Sequence, residues 1–397
     1  MKRLLSLMLA LVSLISFASC GKSGTGEPSP TPASNGEISL VFDVASRYAS
    51  PAAEQVFETG DAVYFLCESE GGYMMYFSDK EYKDFMPLCG RPDCLHNSED
   101  CSAFIKGAGN CLKAWICGGH IYYACDETDS DPVRIEVWRM GLDGSGHEQY
   151  LTVPIDVRYS SYVYSWLFHN KYMLISFSGA EGGSSEYARE LILVELECGE
   201  PVPTVIEESG GVSRGFVLAG EGDILYGVWD DVKNGTGTYV MKADLAGRTV
   251  ERVCPIPFWP DEAVISGGKL YLYNCWNDFG IACMDLETNE LTVITRDEPA
   301  EKHWFKANDK YLIGAGTGYE GEYRGTRIYD LGFNLIQELP YETYGTNIYV
   351  TYITESFVFG IEADDWGCFD LDAHTPTWYL DLNDIGTEGF GWHRWEP

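Results

Sequence analysis

An all-β chain assembled from seven repeated sheets is predicted by three features of the sequence. Aromatic residues make up 14% of the chain, with 26 Tyr among them, and such side chains suit the pleated, half-buried surface of a strand. No long segment shows the 3.6-residue periodicity of an amphipathic helix. One pattern recurs seven times: a Gly, Asn or Asp turn, a short apolar strand, an acidic or Gly-rich loop, a second strand, a tight turn and a third strand. Its spacing of about 41 to 58 residues is close to the period of a four-stranded blade, and seven blades close on themselves with few bare sheet edges. The expectation is a seven-bladed β-propeller; a miscount by one repeat gives six or eight.

Taken in chain order, the first element is a leader. Lys2 and Arg3 precede an apolar run from Leu4 to Phe17, and Phe17-Ala18-Ser19-Cys20 closes it. A run of this length falls short of the roughly 20 residues a spanning helix needs, and small residues before a cysteine suit a signal peptidase. Residues 1–19 are read as a cleaved signal peptide and Cys20 as the lipid attachment site. The pattern resembles bacterial lipoproteins, departing from the usual Leu at Phe17. The resemblance implies a cell-membrane lipoprotein on the extracytoplasmic face, held by its lipid alone. Residues 20–36, rich in Gly, Ser, Thr and Pro, offer nothing to bury and read as a flexible tether.

The propeller domain is expected over 37–397. Ile38 to Val44 is a strand ahead of the first repeat and is expected to pair with the last, joining the ends of the ring. The repeats open at Gly60, Gly118, Asn170, Gly222, Gly267, Asn308 and Glu355. Their partner strands begin at Tyr73, Ile135, Leu191, Thr238, Ile281, Thr326 and, in the seventh repeat, Cys368. Most end in a polar or glycine turn that tolerates positive φ. Kelch, Trp-Asp and sialidase-type Asp-box signatures are not matched. The segments from Val137 and from Gly280 instead resemble low-density-lipoprotein-receptor-like and TolB-like propellers, many of which occur in bacterial surface lipoproteins of unknown function. That resemblance implies fold and leaves activity open.

Net charge limits the partners. The chain carries −34, which becomes −36 once the two leader cations are removed, and no Lys/Arg cluster offsets it. Nucleic acid is an unfavourable partner for such a field.

The sharpest motif places Cys89, Cys94, His96 and Cys101 within one short segment, with turn-forming Pro92-Asp93 and Asn97-Ser98 between them. Three thiolates and an imidazole can close a tetrahedral structural zinc site. A disulfide between two of the cysteines, with the third free or joined to Cys111, is the competing reading in an oxidising compartment. The order of residues resembles a motif of uncharacterised lipoproteins from anaerobic Firmicutes. The other cysteines, scattered through strands, are expected as small core residues.

Loops between the strands that follow each opening turn should meet on one rim. They supply Asp126, Asp230, Asp231, Asp278, Asp364 and Asp365 as carboxylates, and Trp229, Trp276, Tyr319, Tyr323 and Trp366 as aromatic faces. The cysteine loop is expected on the same rim. Flat rings beside carboxylates suit a sugar or a cationic peptide. His120, His169 and His303 lie near strand starts, where a surface role is expected. No nucleophile elbow, zinc helix, phosphate loop or dinucleotide fingerprint is present. The preferred reading is therefore a non-catalytic binding module for a glycan, peptide or envelope partner. A propeller glycosidase or lyase using rim carboxylates, and an envelope scaffold, are the alternatives.

Overall fold

The computed structural model describes residues 56–58, 62–69, 71–79, 85–96, 100–106, 113–127, 134–154, 159–181, 187–198, 201–210, 214–231, 237–260, 262–274, 280–294, 303–316, 325–363 and 378–394. All belong to one unit, Pro32–Pro397; the leader, Cys20, the tether and Ile38 to Val44 lie outside them. Among the described residues no helix is long and apolar enough to cross a membrane.

Seven antiparallel sheets follow one another along the chain, each a meander of strands taken in sequence order. Blade 1 comprises Val56–Glu58, Ala62–Ser69, Gly72–Asp79 and Phe85–Pro87, with Phe104–Lys106 also on the third strand. Blade 2 is Lys113–Cys117, His120–Glu127, Arg134–Gly141 and Glu148–Pro154; blade 3 is Tyr159–His169, Tyr172–Glu181, Tyr187–Glu195 and Thr204–Gly210. Blade 4 is Arg214–Glu221, Ile224–Asp231, Gly237–Asp244 and Thr249–Ile256; blade 5 is Glu262–Ser266, Lys269–Asn274, Gly280–Asp285 and Leu291–Val293. Blade 6 is His303–Ala307, Tyr311–Gly316, Gly325–Asp330 and Leu335–Pro340, and blade 7 is Asn347–Ile353, Phe357–Ala363, Trp378–Asp381 and His393–Arg394. The chain is a seven-bladed β-propeller.

Three details differ from the expectation. The turn that opens each repeat is itself a hairpin, between an innermost strand and the strand read from the sequence. Cys117 pairs with His120 across Gly118-Gly119, both at positive φ, the backbone a two-residue hairpin requires. In blade 7 the partner of Phe357–Ala363 is Trp378–Asp381, registered Phe357 to Asp381, and not the strand expected at Cys368, which lies outside the described residues. The blade's fourth strand is the C-terminal His393–Arg394.

First strands of neighbouring blades face one another from blade 2 to blade 7. Burial falls from inside outward: all of Lys113–Cys117 is buried, whereas Glu148–Pro154 is largely exposed. Blade-to-blade packing buries Trp115, Trp166, Tyr273 and Phe359 almost completely.

One rim is tied blade to blade by side chains that reach the turns of the next blade. Trp115 Nε1 donates to Asn170 O at 2.8 Å, His169 Nε2 to Gly222 O at 2.6 Å, Tyr273 OH to Leu331 O at 2.9 Å, and Asn308 Nδ2 to Thr354 O at 2.9 Å. The same rim carries the turns after the third strands, where an acidic residue followed by Leu recurs at 195–196, 244–245, 285–286, 330–331 and 381–382. The Asp carboxylates close these turns: Asp244 Oδ1 accepts from Gly247 N at 2.7 Å, Asp285 Oδ1 from Thr288 N at 2.9 Å and Asp330 Oδ1 from Asn334 N at 2.8 Å. These are local side-chain turns; the positive φ angles fall later, at Arg248, Asn289 and Phe333. The following Leu bonds back to the inner hairpin, as Leu245 N to Asp223 O at 2.9 Å and Leu382 N to Ser356 O at 2.8 Å.

Candidate metal centre

The cysteine motif occupies an interruption in the outermost strand of blade 1. Phe85–Pro87 pairs with Ser78 to Tyr76, and Phe104–Lys106 continues the same edge along Met74 to Gly72. Between them Met75 closes the gap with both of its backbone groups: its carbonyl accepts from Leu88 N at 2.8 Å and its N–H donates to Ala103 O at 2.9 Å. Leu88 to Ala103 is thus a loop pinched at its base. It leaves from the blade's outer edge, partway along the third strand. This corrects the expectation that it sits on the rim of the second-to-third-strand loops.

The loop rests on the turn after the third strand of blade 2. Gly144, at φ 76°, lies so close that a Cβ there would come within 2.1 Å of Leu88 O. His147 fixes the contact: Nε2 donates to Ser102 O at 2.9 Å and Gly144 O at 3.2 Å, while Nδ1 accepts from Tyr123 OH at 2.9 Å. Two carbonyls on one nitrogen and a hydroxyl on the other assign the proton to Nε2.

Within the loop the candidate ligand atoms of Cys89, Cys94, His96 and Cys101 all lie within 4.8 Å of one another. His96 Nδ1 is 3.4 Å from Cys101 Sγ. Cys101 is buried, the other three are half-buried, and the three thiols are free. His96 adopts φ 53°, a left-handed conformation uncommon outside Gly although His is among the residues enriched there.

Arg91 organises the charge. Its Nη2 donates to Cys94 Sγ at 3.4 Å and to Asp100 O, and its guanidinium also reaches Cys89. Burial pushes the Cys89 thiol up, but hydrogen bonds from the Ser102 side chain, the Arg91 and Ser102 backbones and the Arg91 guanidinium outweigh it and bring the thiol down to about 6. Burial pushes Cys101 up to about 12, against a hydrogen bond from the Ala103 backbone. Arg91 and His147 were not singled out by sequence. Arg91 was visible between two of the cysteines; His147 is distant in sequence and had no signal.

The rim residues fare differently. Trp229 is only 8% exposed and packs with Tyr172, Leu174, Leu225 and Met241 in the core between blades 3 and 4, so it is not a rim aromatic. The backbones of Asp126, Asp230 and Asp231 pair with Ile135, Thr238 and Gly237 at the loop end of their hairpins. Trp276, Asp278, Tyr319, Tyr323, Asp364, Asp365 and Trp366 lie outside the described residues. His169 is buried rather than at the surface, and burial lowers its pKa below the ordinary value. Among the scattered cysteines, Cys117 and Cys125 are buried, as expected of core residues, while Cys198, Cys254 and Cys283 are half-buried.

No family model matches the chain, and no curated protein matches it. Solved structures do match. The β-propeller domain of the Trilobed protease from Pyrococcus furiosus aligns at TM-score 0.44 and 12% identity, covering 71% of this chain and 84% of that one. The Pyrococcus horikoshii acylaminoacyl peptidase aligns at TM-score 0.47 and 11% identity, over 82% of this chain and 58% of that one. A chain of the nidogen/laminin complex aligns at TM-score 0.38 and 10% identity, over 72% and 96%. At such identities the likeness concerns fold alone.

Proposed function

We propose that this protein is an exported, lipid-anchored β-propeller that works as a non-catalytic binding module for a glycan, a peptide or an envelope protein. The leader ending at Cys20 supports export and anchoring. The observation that carries the binding role is the meander shared by all seven sheets. In such a meander the second strands end, and the third strands begin, on the side away from the turns that Trp115, His169, Tyr273 and Asn308 reach, which supports a common rim for the connections between them. In sequence, Trp276 and Asp278 fall between the paired ends Asn274 and Gly280, and Tyr319 and Tyr323 between strand ends Gly316 and Gly325. Asp364, Asp365 and Trp366 follow Ala363. Carboxylates and aromatic rings gathered on one surface would accept hydroxyl or ammonium donors while stacking on C–H faces. The net charge of −34 favours neutral or cationic ligands over nucleic acid or anionic lipid.

The test is to incubate the protein, begun at Gly21, with polysaccharides, cell-wall fragments and cationic peptides, and to examine retained ligand and soluble products by mass spectrometry. Retention without cleavage supports the proposal. New products lost on substitution of a rim carboxylate overturn it in favour of an enzyme. Loss of radiolabelled palmitate from a Cys20→Ala variant in cells checks the anchor; equal labelling of the variant contradicts it.

A further inference from the structure

We propose that Cys89, Cys94, His96 and Cys101 bind one zinc ion in a closed tetrahedral site that locks the blade 1 insertion against blade 2. This goes beyond the binding role and does not depend on it. With Zn–S near 2.3 Å and Zn–N near 2.0 to 2.1 Å, a tetrahedral site has S···S edges of about 3.8 Å and S···N edges of about 3.6 Å. The His96 Nδ1 to Cys101 Sγ distance of 3.4 Å already matches such an edge. With every pair of ligand atoms inside 4.8 Å, the longest edge needs to contract by about 1.2 Å or less. A disulfide needs two sulfurs near 2.05 Å, which would leave the remaining thiol and the imidazole without a shared role.

The surroundings suit a metal thiolate. Three thiolates and a neutral imidazole give a zinc complex one net negative charge, and Arg91 places one positive charge against Cys94 Sγ and Cys89. Backbone N–H groups of Arg91 and Ser102 donate to Cys89 and that of Ala103 to Cys101. Such outer contacts orient metal ligands and tune their affinity. Soft sulfur donors with one imidazole select zinc over magnesium or calcium, and four protein ligands leave no open position for a substrate. The ion's effect is therefore structural. It would hold the loop closed above its base, where Met75 pinches Leu88 and Ala103 together and where His147 and Gly144 of blade 2 meet Ser102 O and Leu88 O.

The experiment is elemental analysis of the mature chain purified without chelator, combined with peptide mapping under non-reducing conditions. Expected are about one zinc per chain and no peptide joining Cys89, Cys94 and Cys101. Cys94→Ser and His96→Ala should lose the metal, Cys254→Ser should keep it, and Arg91→Ala should bind zinc about 10- to 100-fold more weakly. Should the ligand variants not fold, cobalt exchange into the unmodified chain should produce the intense visible absorption of a tetrahedral thiolate site. A disulfide among the three cysteines, a metal other than zinc at these ligands, or zinc retained in both ligand variants would each overturn the proposal.

Discussion

Replacing Asn308 by Ala should destabilise the propeller more than any ordinary polar-to-Ala change, because this side chain does two jobs at the junction of blades 6 and 7. Its Nδ2 donates to Thr354 O at 2.9 Å, and its Oδ1 accepts from Lys310 N at 3.0 Å and Tyr311 N at 2.8 Å. The residue is 8% exposed, so water does not readily replace what is removed. A net hydrogen bond contributes about 0.5 to 1.5 kcal/mol and a buried group left unpaired costs about 1 to 3, so the sum is about 1.5 to 4.5 kcal/mol. Asn308→Asp separates the jobs. It keeps the acceptor for the turn but turns a carboxylate oxygen toward Thr354 O, so its loss reports the contact between blades. Equilibrium urea denaturation of both variants measures the effect. A change below about 0.5 kcal/mol for Asn308→Ala, the range of an ordinary surface substitution, would refute the idea that these side chains pin one blade to the next.

Three further outcomes follow from the structure. Trp229→Ala should cost about 3 to 5 kcal/mol in denaturation while leaving ligand retention unchanged in the folded fraction, because the ring is a core group; lost binding with unchanged stability would restore it to the rim. Burial lowers the His169 pKa from its ordinary 6.5, so the unfolded chain takes up the proton first. Stability is full above pH 6.5 and falls as the pH drops below it, despite nearby Asp223, which favours the charged form. The fall should be shallower in His169→Gln, and identical pH profiles for the two chains would contradict the assignment. Gly144→Ala should destabilise more than Gly146→Ala, because both have positive φ but only Gly144 faces Leu88 O, at 2.1 Å from an added Cβ. Equal thermal shifts would show that the cysteine loop does not press on blade 2.

Much of the fold could be read from residues because the repeat is written in turn chemistry. Gly118-Gly119 and Gly267-Gly268 announce tight hairpins, and all four have positive φ. The innermost strands are harder to read, because each lies ahead of the turn that marks its repeat, as 347–353 lies ahead of the turn at Glu355. Blade 7 shows how a local signal misleads. Asp-Leu occurs at 370–371 as well as at 381–382, and only pairing with Phe357–Ala363 selects the second. Trp229 escapes the alternation for a related reason. The second strand of blade 4 is buried from Leu225 to Trp229 on both faces, so alternation does not separate core from surface near its loop end. The Cys and His set was legible as chemistry, yet its position was not, because the interruption of blade 1's edge is decided by the backbone of Met75.

On the proposed function, ligand is held at the rim of the second-to-third-strand loops without being cleaved. The most direct measurement is calorimetric titration of a retained ligand into the unmodified chain, Trp276→Ala and Trp366→Ala, with Asp285→Ala on the opposite rim as the control. Affinity should fall about tenfold or more, equivalent to about 1.4 kcal/mol, in the two Trp variants and be unchanged in the control. Unchanged affinity in both Trp variants, or loss only in Asp285→Ala, would contradict it.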